Sequence, residues 1–330
     1  MLMVLGLHAN FIALGGPTAG DILTRDGICR TFFTFFCLEA VNVFVMISGW
    51  FGINASIRGF CNFLWRVIYI VGLLWIVGVL FFNEPITIRS ILSIVGLYSG
   101  GGWFVASYIG LYILSPVLNA YVEKSSPRNI ALMLAAFFTF EILWGDTLSV
   151  MFIAGGYSTF SFIGIYILAG LLRKVKLKIN RRSFYLFLYL VCVIINTLLY
   201  IISVHKGASS ITRVVYNYIN PLVIAASASL LLLFSNKPEF RPMRFRNALV
   251  RKIILLTASS CFAAYLLHVG AYYAFTFYRE GAKHLYDMFD GFTAFVVLVG
   301  YILAVFSAAV IIDQPRKLIW NHIIRPVFKR

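Results

Sequence analysis

Apolar residues run along this chain in long unbroken blocks, and short polar, mostly basic stretches separate them. Crossing a bilayer core as a helix takes roughly 20 apolar residues. Ten blocks approach that length, at 1–15, 32–53, 63–82, 103–122, 130–149, 158–172, 184–203, 214–235, 253–278 and 291–312. The pattern predicts an all-α polytopic membrane bundle of about ten transmembrane helices around a polar cavity. No soluble insertion, low-complexity tract or internal repeat interrupts the blocks. They read as one domain over 1–330, without helices broken at the midplane.

Composition agrees. Over 330 residues the chain is 61% hydrophobic and only 12% charged, where a soluble domain carries about 25% charged residues to face water. The net charge of +16 would suggest nucleic-acid binding in a soluble protein, but here its distribution follows membrane orientation. With both termini inside, the inner loops hold Arg58, Arg66, Lys124, Arg128, Arg173, Lys174, Lys176, Lys178, Arg181, Arg182, Lys237, Arg241, Arg244, Arg246, Arg251, Lys252, Arg316, Lys317, Arg325, Lys329 and Arg330. The outer loops hold Arg25, Arg30, Arg89, Lys206, Arg213, Arg279 and Lys283. That is 21 against 7, accounting for all 28 Lys and Arg. The positive-inside rule then predicts a bacterial inner (cytoplasmic) membrane protein with cytoplasmic termini and no nucleic-acid partner.

The first block is short. Its 15 residues before Gly16-Pro17 make roughly 22 Å of helix, less than the ~30 Å hydrocarbon core. It also lacks the basic flank and small-residue cleavage site of a signal peptide. The expectation is that the true start lies upstream. The five cysteines, Cys29, Cys37, Cys61, Cys192 and Cys261, show no metal or redox spacing, so no metal is expected. Cys192 and Cys261 lie in apolar runs and read as small buried side chains; Cys29 and Cys37 are the pair that could bridge.

Ionisable groups inside a bilayer are costly, and each is a functional candidate. Here they are His8, Glu39, Arg66, Glu141 and His268, with Asn42 and Ser48 as uncharged companions. His8 sits in the apolar run Met1–Asn10, where a neutral imidazole suits a general base acting on a hydroxyl; a helix-packing histidine is the other reading. Ser48-Gly49 lets another helix or a ligand approach closely, and packing is the expected role of Gly49. Asn42 and Glu39 share one side of the second helix. Glu39 is expected near the outer surface, solvated. Glu141 lies deeper, with Trp144 or a backbone group as partner. His268, mid-run in the ninth block, is expected to hydrogen-bond across helices, with a second functional histidine as the alternative. The Ser99–Gly102 run falls on the outer side and reads as a flexible turn.

These residues carry a resemblance. Leu7-His8-Ala9, then Ala40-Val41-Asn42-Val43-Phe44-Val45-Met46-Ile47-Ser48-Gly49-Trp50, then Trp103-Phe104, Tyr112-Ile-Leu-Ser-Pro116, Tyr265-Leu-Leu-His268 and Asp313-Gln-Pro315 resemble, in order and spacing, membrane-bound acyltransferase family 3. The resemblance implies an enzyme: an O-acyltransferase moving an acyl group, usually acetyl from acetyl-CoA, to a hydroxyl of a surface glycan, a lipid-linked sugar or a small exported molecule. It implies that His8 is the essential histidine and that the acidic-x-Pro at Asp313 closes the last helix. Membrane lipids surround such a protein, and a homo-oligomer is compatible with it. Two features depart from the family. Its basic residue eleven positions before the histidine would precede Met1, so either the start is upstream or this form is impaired. Its cytoplasmic Arg-x-x-Arg, which engages the CoA donor, keeps one member at Arg66, with Phe63 or Tyr69 at the other position and Arg58 nearby as a substitute. Basic side chains there suit the phosphates of CoA; lipid-headgroup anchoring is the competing reading.

Two other classes compete. A transporter or flippase of a lipid-linked saccharide shares the helices and the aromatic content, and would show inverted repeats and broken helices. A purely structural membrane partner leaves the polar groups of the first two helices without a role.

Overall fold

The computed structural model describes residues 1–94, 102–147, 152–177, 179, 181–235 and 247–328. Ser99, Gly100 and Gly101 of the glycine run lie outside the described residues. So do the end of the fifth block and the cations Lys178, Lys237, Arg241, Arg244, Arg246, Lys329 and Arg330, as does the Arg89 side chain.

The described residues are helical, with no strand among them. In chain order the helices are α1 (Leu2–Leu7), widening into a π-turn over His8–Ile12, α2 (Arg25–Leu38), α3 (Ala40–Phe51), α4 (Ile57–Phe82), α5 (Ile88–Ile94), α6 (Gly102–Lys124) and α7 (Pro127–Phe140). Then follow α8 (Thr159–Lys174), α9 (Arg182–His205), α10 (Ser209–Val215), α11 (Pro221–Phe234), α12 (Ala248–Ser259), α13 (Cys261–Val269), α14 (Tyr272–Asp287), α15 (Gly291–Ile319) and α16 (Arg325–Val327). Starts are set by side-chain caps. Thr24 accepts from the Gly27 N–H, Ser56 from Gly59, Ser126 from Asn129 and Ser158 from Ser161, each relieving one of the unpaired donors of a first turn.

Each of the ten apolar blocks carries helix among its described residues, giving an all-α membrane bundle. The lengths differ from the expectation. Among the described residues six helices are long and apolar enough to cross a membrane, or seven if the bent pair α12–α13 counts as one span. Leu2–Ile12 and Pro221–Phe234 are shorter apolar helices. The eighth block narrows because Asn220 caps a helix that begins at Pro221, a residue suited to a first turn and to no helix interior. The ninth block is not one rod: it bends by 43° between Ser259 and Cys261, and α14 starts anew after Gly270-Ala271. The expectation of unbroken helices therefore fails there.

The chain divides into two compact units. One comprises Gly16–Asn54 and Ser107–Met243. It is built on close backbone approaches. A Cβ on Gly49 would come within 2.3 Å of the Tyr166 carbonyl oxygen, so α3 and α8 touch where Gly49 stands, as expected for small residues at membrane helix interfaces. The Tyr166 hydroxyl donates to Asn119 (2.7 Å) and accepts from the Ile53 N–H (2.7 Å), while Asn119 donates to the Ile53 carbonyl (3.0 Å). This ring ties the end of α3 to α6 and α8. Pro116 inside α6 cannot donate to the carbonyl one turn back, and the Ser115 hydroxyl does so instead, at 2.7 Å from the Tyr112 oxygen; neighbouring hydroxyls commonly make that substitution in membrane helices. Lys174 bonds the Val122, Glu123 and Ser125 carbonyls at the end of α6, placing a cation at the negative end of the helix.

The other unit comprises Met1–Gly15, Ala55–Ala106 and Arg244–Arg330. Its buried cluster of Leu5, Ala9, Tyr278, Ala282, Leu298 and Ile302 packs α1, α14 and α15 together. The Tyr278 hydroxyl donates to the Leu5 carbonyl (2.8 Å), and the Tyr273 hydroxyl to the Leu74 carbonyl (2.5 Å). The helix expected to close at Asp313-Gln-Pro315 runs on through Pro315 to Ile319.

Candidate active site

The unit containing Met1–Gly15 holds two polar centres. The first is at His8. There α1 gives way to the π-turn His8–Ile12, a widening often found at functional positions. His8 Nδ1 lies 2.9 Å from Nε2 of His268, and His268 Nδ1 lies 2.8 Å from the Ala264 carbonyl oxygen one turn earlier in α13. The His268 side chain is buried at 2% exposure, whereas His8 is partly accessible. Aromatic rings hold both imidazoles: Phe275 meets His8 edge-on at 5.5 Å, and Tyr278 meets His268 at 5.1 Å. Phe104 packs on Tyr265 at 5.4 Å, joining the Trp103-Phe104 and Tyr265–His268 motifs beside the pair.

The second centre is a cavity of about 350 Å³ lined by Arg58, Asn62, Arg66, Ser259, Arg316, Lys317, Trp320, Asn321 and Arg325. Arg58, Asn62 and Arg66 are spaced by four along α4 and so share one face. Arg316 and Lys317 come from α15 and Arg325 from α16. Five cations thus surround one space, offset by Asp313. That carboxylate is buried at 1% exposure. It binds the Arg316 guanidinium in contact, Lys317 at 3.3 Å and the Ser260 hydroxyl at 2.8 Å. Lys317 also donates to Ser259 (2.7 Å) and Ser260 (2.6 Å), the residues at the bend between α12 and α13. Trp65 donates to the Arg316 carbonyl at 3.3 Å and fixes α4 against α15. A space of this size with convergent donors suits a small anionic ligand.

The remaining candidates belong to the other unit. Asn42 is buried and donates to the Tyr218 carbonyl (2.9 Å), and Ser48 lies 3.0 Å from the Tyr108 hydroxyl. Glu39 was expected to be solvated near the outer surface. It is instead fully buried at the turn between α2 and α3, and its carboxylate has no hydrogen-bond partner in another described residue. Cys29 and Cys37 are unbridged, one exposed and one buried. Two turns apart on α2, they stand about 12 Å from each other along the axis, too far for a disulfide. Cys192 is buried and Cys261 only partly so. Among the described residues no group of three His, Cys, Asp or Glu could hold a metal ion.

Arg316, Lys317, Arg325 and Ser259 were not singled out from the sequence as site residues. For two of them a signal was present: Arg316 and Lys317 follow Asp313 by three and four positions, the spacing of ion pairs on a helix.

No curated protein and no solved structure matches the chain significantly. A family model described as an acyltransferase domain matches residues 1–313, which include the His8–His268 pair and, of the basic cavity, Arg58, Asn62, Arg66 and Ser259. The chain belongs to membrane acyltransferase family 3.

Proposed function

We propose that this acyltransferase is an O-acyltransferase of the bacterial inner membrane, a single functional domain crossing the bilayer several times with cytoplasmic termini. Its donor is an acyl-CoA, acetyl-CoA in the first instance. Its acceptor is a hydroxyl of a surface glycan or lipid-linked sugar. His8 is the general base.

The observation that carries this reading is the placement of the two polar centres on one short helix. Ser259, the last residue of α12, lines the basic cavity, Ser260 at the N-cap of α13 binds the cavity's Lys317, and His268 near the end of α13 meets His8. The eight residues from Ser260 to His268 rise about 12 Å at 1.5 Å per residue. In CoA the phosphates and the thioester are likewise separated, by the pantetheine arm, so phosphates held by Arg58, Arg66 and their neighbours leave the acyl group free to approach His8. Guanidinium groups match phosphate oxygens in pairs. The cavity's five cations, Arg58, Arg66, Arg316, Lys317 and Arg325, all come from the loops assigned to the cytoplasm by charge, which is where acyl-CoA is found.

In the transfer, His8 removes the proton of the acceptor hydroxyl, the oxygen attacks the thioester carbonyl, and the C–S bond breaks. The proton then passes from His8 to the departing thiolate, so ester and thiol form with no net change at the enzyme.

The test is transfer of label from acetyl-CoA to envelope glycans by the purified protein in nanodiscs. Wild type should label a glycan fraction, and His8→Ala should lose about 10²–10⁴-fold in kcat. Full activity in His8→Ala would remove the base, and no labelled acceptor or donor turnover in the wild type would remove the reaction.

A further inference from the structure

We infer that His268 is a positioning residue that sets the tautomer of His8, so that the base is Nε2 of His8 and no other atom. This rests on the assignment of His8 as general base and adds to it which nitrogen acts and what holds it ready.

A carbonyl oxygen can only accept a hydrogen bond. The 2.8 Å contact from His268 Nδ1 to the Ala264 oxygen therefore places a proton on that nitrogen. A neutral His268 is left with Nε2 as an acceptor. The partner 2.9 Å away is Nδ1 of His8, which must supply the hydrogen. His8 then carries its proton on Nδ1, and its Nε2 keeps the lone pair. One backbone carbonyl thus fixes the protonation of two rings in series, as an outer partner commonly orients a working histidine.

Burial supports the direction of the chain. His268, the inner ring, is 2% exposed, and His8 is the less buried of the two. Phe275 and Tyr278 pack on the two rings, Tyr278 itself anchored to the Leu5 carbonyl, and the contacts to the Ala264 oxygen and between the rings select the ring orientation. When His8 Nε2 takes the acceptor proton, the imidazolium donates from Nδ1 to His268 Nε2, and the new charge meets an acceptor already in place. When the thiolate recovers that proton, both rings return to their starting tautomers.

The decisive measurement uses the intact wild-type chain in nanodiscs, labelled with ¹⁵N-histidine and assigned from His8→Ala and His268→Asn. Long-range ¹H–¹⁵N spectra at pH 8 should show both His8 and His268 protonated on Nδ1. An Nε2-protonated His8 in the wild type would overturn the inference without any assay. For activity, His268→Asn can still donate to Ala264 but has no acceptor at the Nε2 position. It should lower kcat by about 10²–10⁴-fold with the donor KM unchanged, the scale seen when a triad's orienting group is replaced. His268→Gln, which can offer an amide oxygen there, should recover kcat to within about tenfold of wild type on the same scale. Wild-type kcat in His268→Asn, together with an inactive His8→Ala, would sink the positioning role alone. An active His8→Ala would sink the base assignment and this inference with it.

Discussion

Ser260 donates a 2.8 Å hydrogen bond to the carboxylate of Asp313, 53 positions further along the chain, at the point where α12 and α13 bend. The same carboxylate binds Arg316 and Lys317, so one buried anion joins a helix bend to two cations of the basic cavity. Removing one partner of a buried ion pair usually costs about 3–5 kcal/mol, because the other charge is left uncompensated. Both Asp313→Leu and Asp313→Asn should therefore lower the thermal midpoint in detergent, the asparagine variant somewhat less because it keeps an acceptor for Ser260. Equal midpoints for wild type and Asp313→Leu would show that the carboxylate holds nothing together.

Donor binding should depend on the cations of the same cavity. A hydrogen bond to a charged group contributes about 1.5–3 kcal/mol, equivalent to roughly a 10–150-fold change in affinity. Arg66→Ala should raise the KM for acyl-CoA by that order with little change in kcat, and Arg66→Lys should recover only part of it, since lysine lacks the planar fork. Steady-state kinetics at two salt concentrations checks both the effect and its electrostatic origin. An unchanged KM in Arg66→Ala and Arg58→Ala would leave lipid anchoring as the role of these arginines.

The contact of Gly49 with Tyr166 makes a purely structural prediction. A methyl at Gly49 would stand 2.3 Å from a backbone oxygen, and neither helix can yield by a side-chain rotation. Gly49→Ala should destabilise the protein by about 1–3 kcal/mol, the usual cost of overpacking. Activity per folded molecule should be retained, measured by thermal unfolding alongside a kinetic assay.

Glu39 predicts the opposite sign. Burying a carboxylate without partners is expensive, whereas a neutral amide of the same shape is less so. Glu39→Gln should melt at or above the wild-type midpoint. A large drop in the midpoint would mean that the carboxylate is satisfied in the folded protein by water or an ion.

The proposed orientation is checked with cysteine labelling. Cys29 is exposed near the start of α2 and Cys37 is buried on the same helix. With the termini inside, a membrane-impermeant maleimide should modify Cys29 in intact cells and leave Cys37 untouched until the protein is denatured. Protection of Cys29 until the membrane is broken would reverse the topology.

Much of this was legible from residue order. Arg66 and nearby Arg58 could be named as a basic pair beside the third block because they are close in sequence, and Gly49 could be read as a packing residue because it lacks a side chain. The role of Ser260 could not. Nothing in Thr257–Cys261 forbids a continuous helix, and the bend is held by Asp313 and Lys317 from a distant segment. Glu39 was misplaced because position along an apolar block indicates depth in the membrane but not which side of the helix faces other helices. The acidic-x-Pro at Asp313 likewise reads as a stop, yet α15 passes through it.

From sequence alone came the helical membrane class, the family resemblance, and the separation of cations from apolar blocks. These follow from the bilayer's demand that each spanning segment satisfy its own backbone hydrogen bonds, a demand written in local composition. Tertiary structure alone decided that His8 meets His268 across 260 positions and that Arg316 and Lys317 join Arg58 and Arg66 around one cavity. Such pairings depend on which helices pack side by side, and apolar faces of similar composition carry little record of their neighbours.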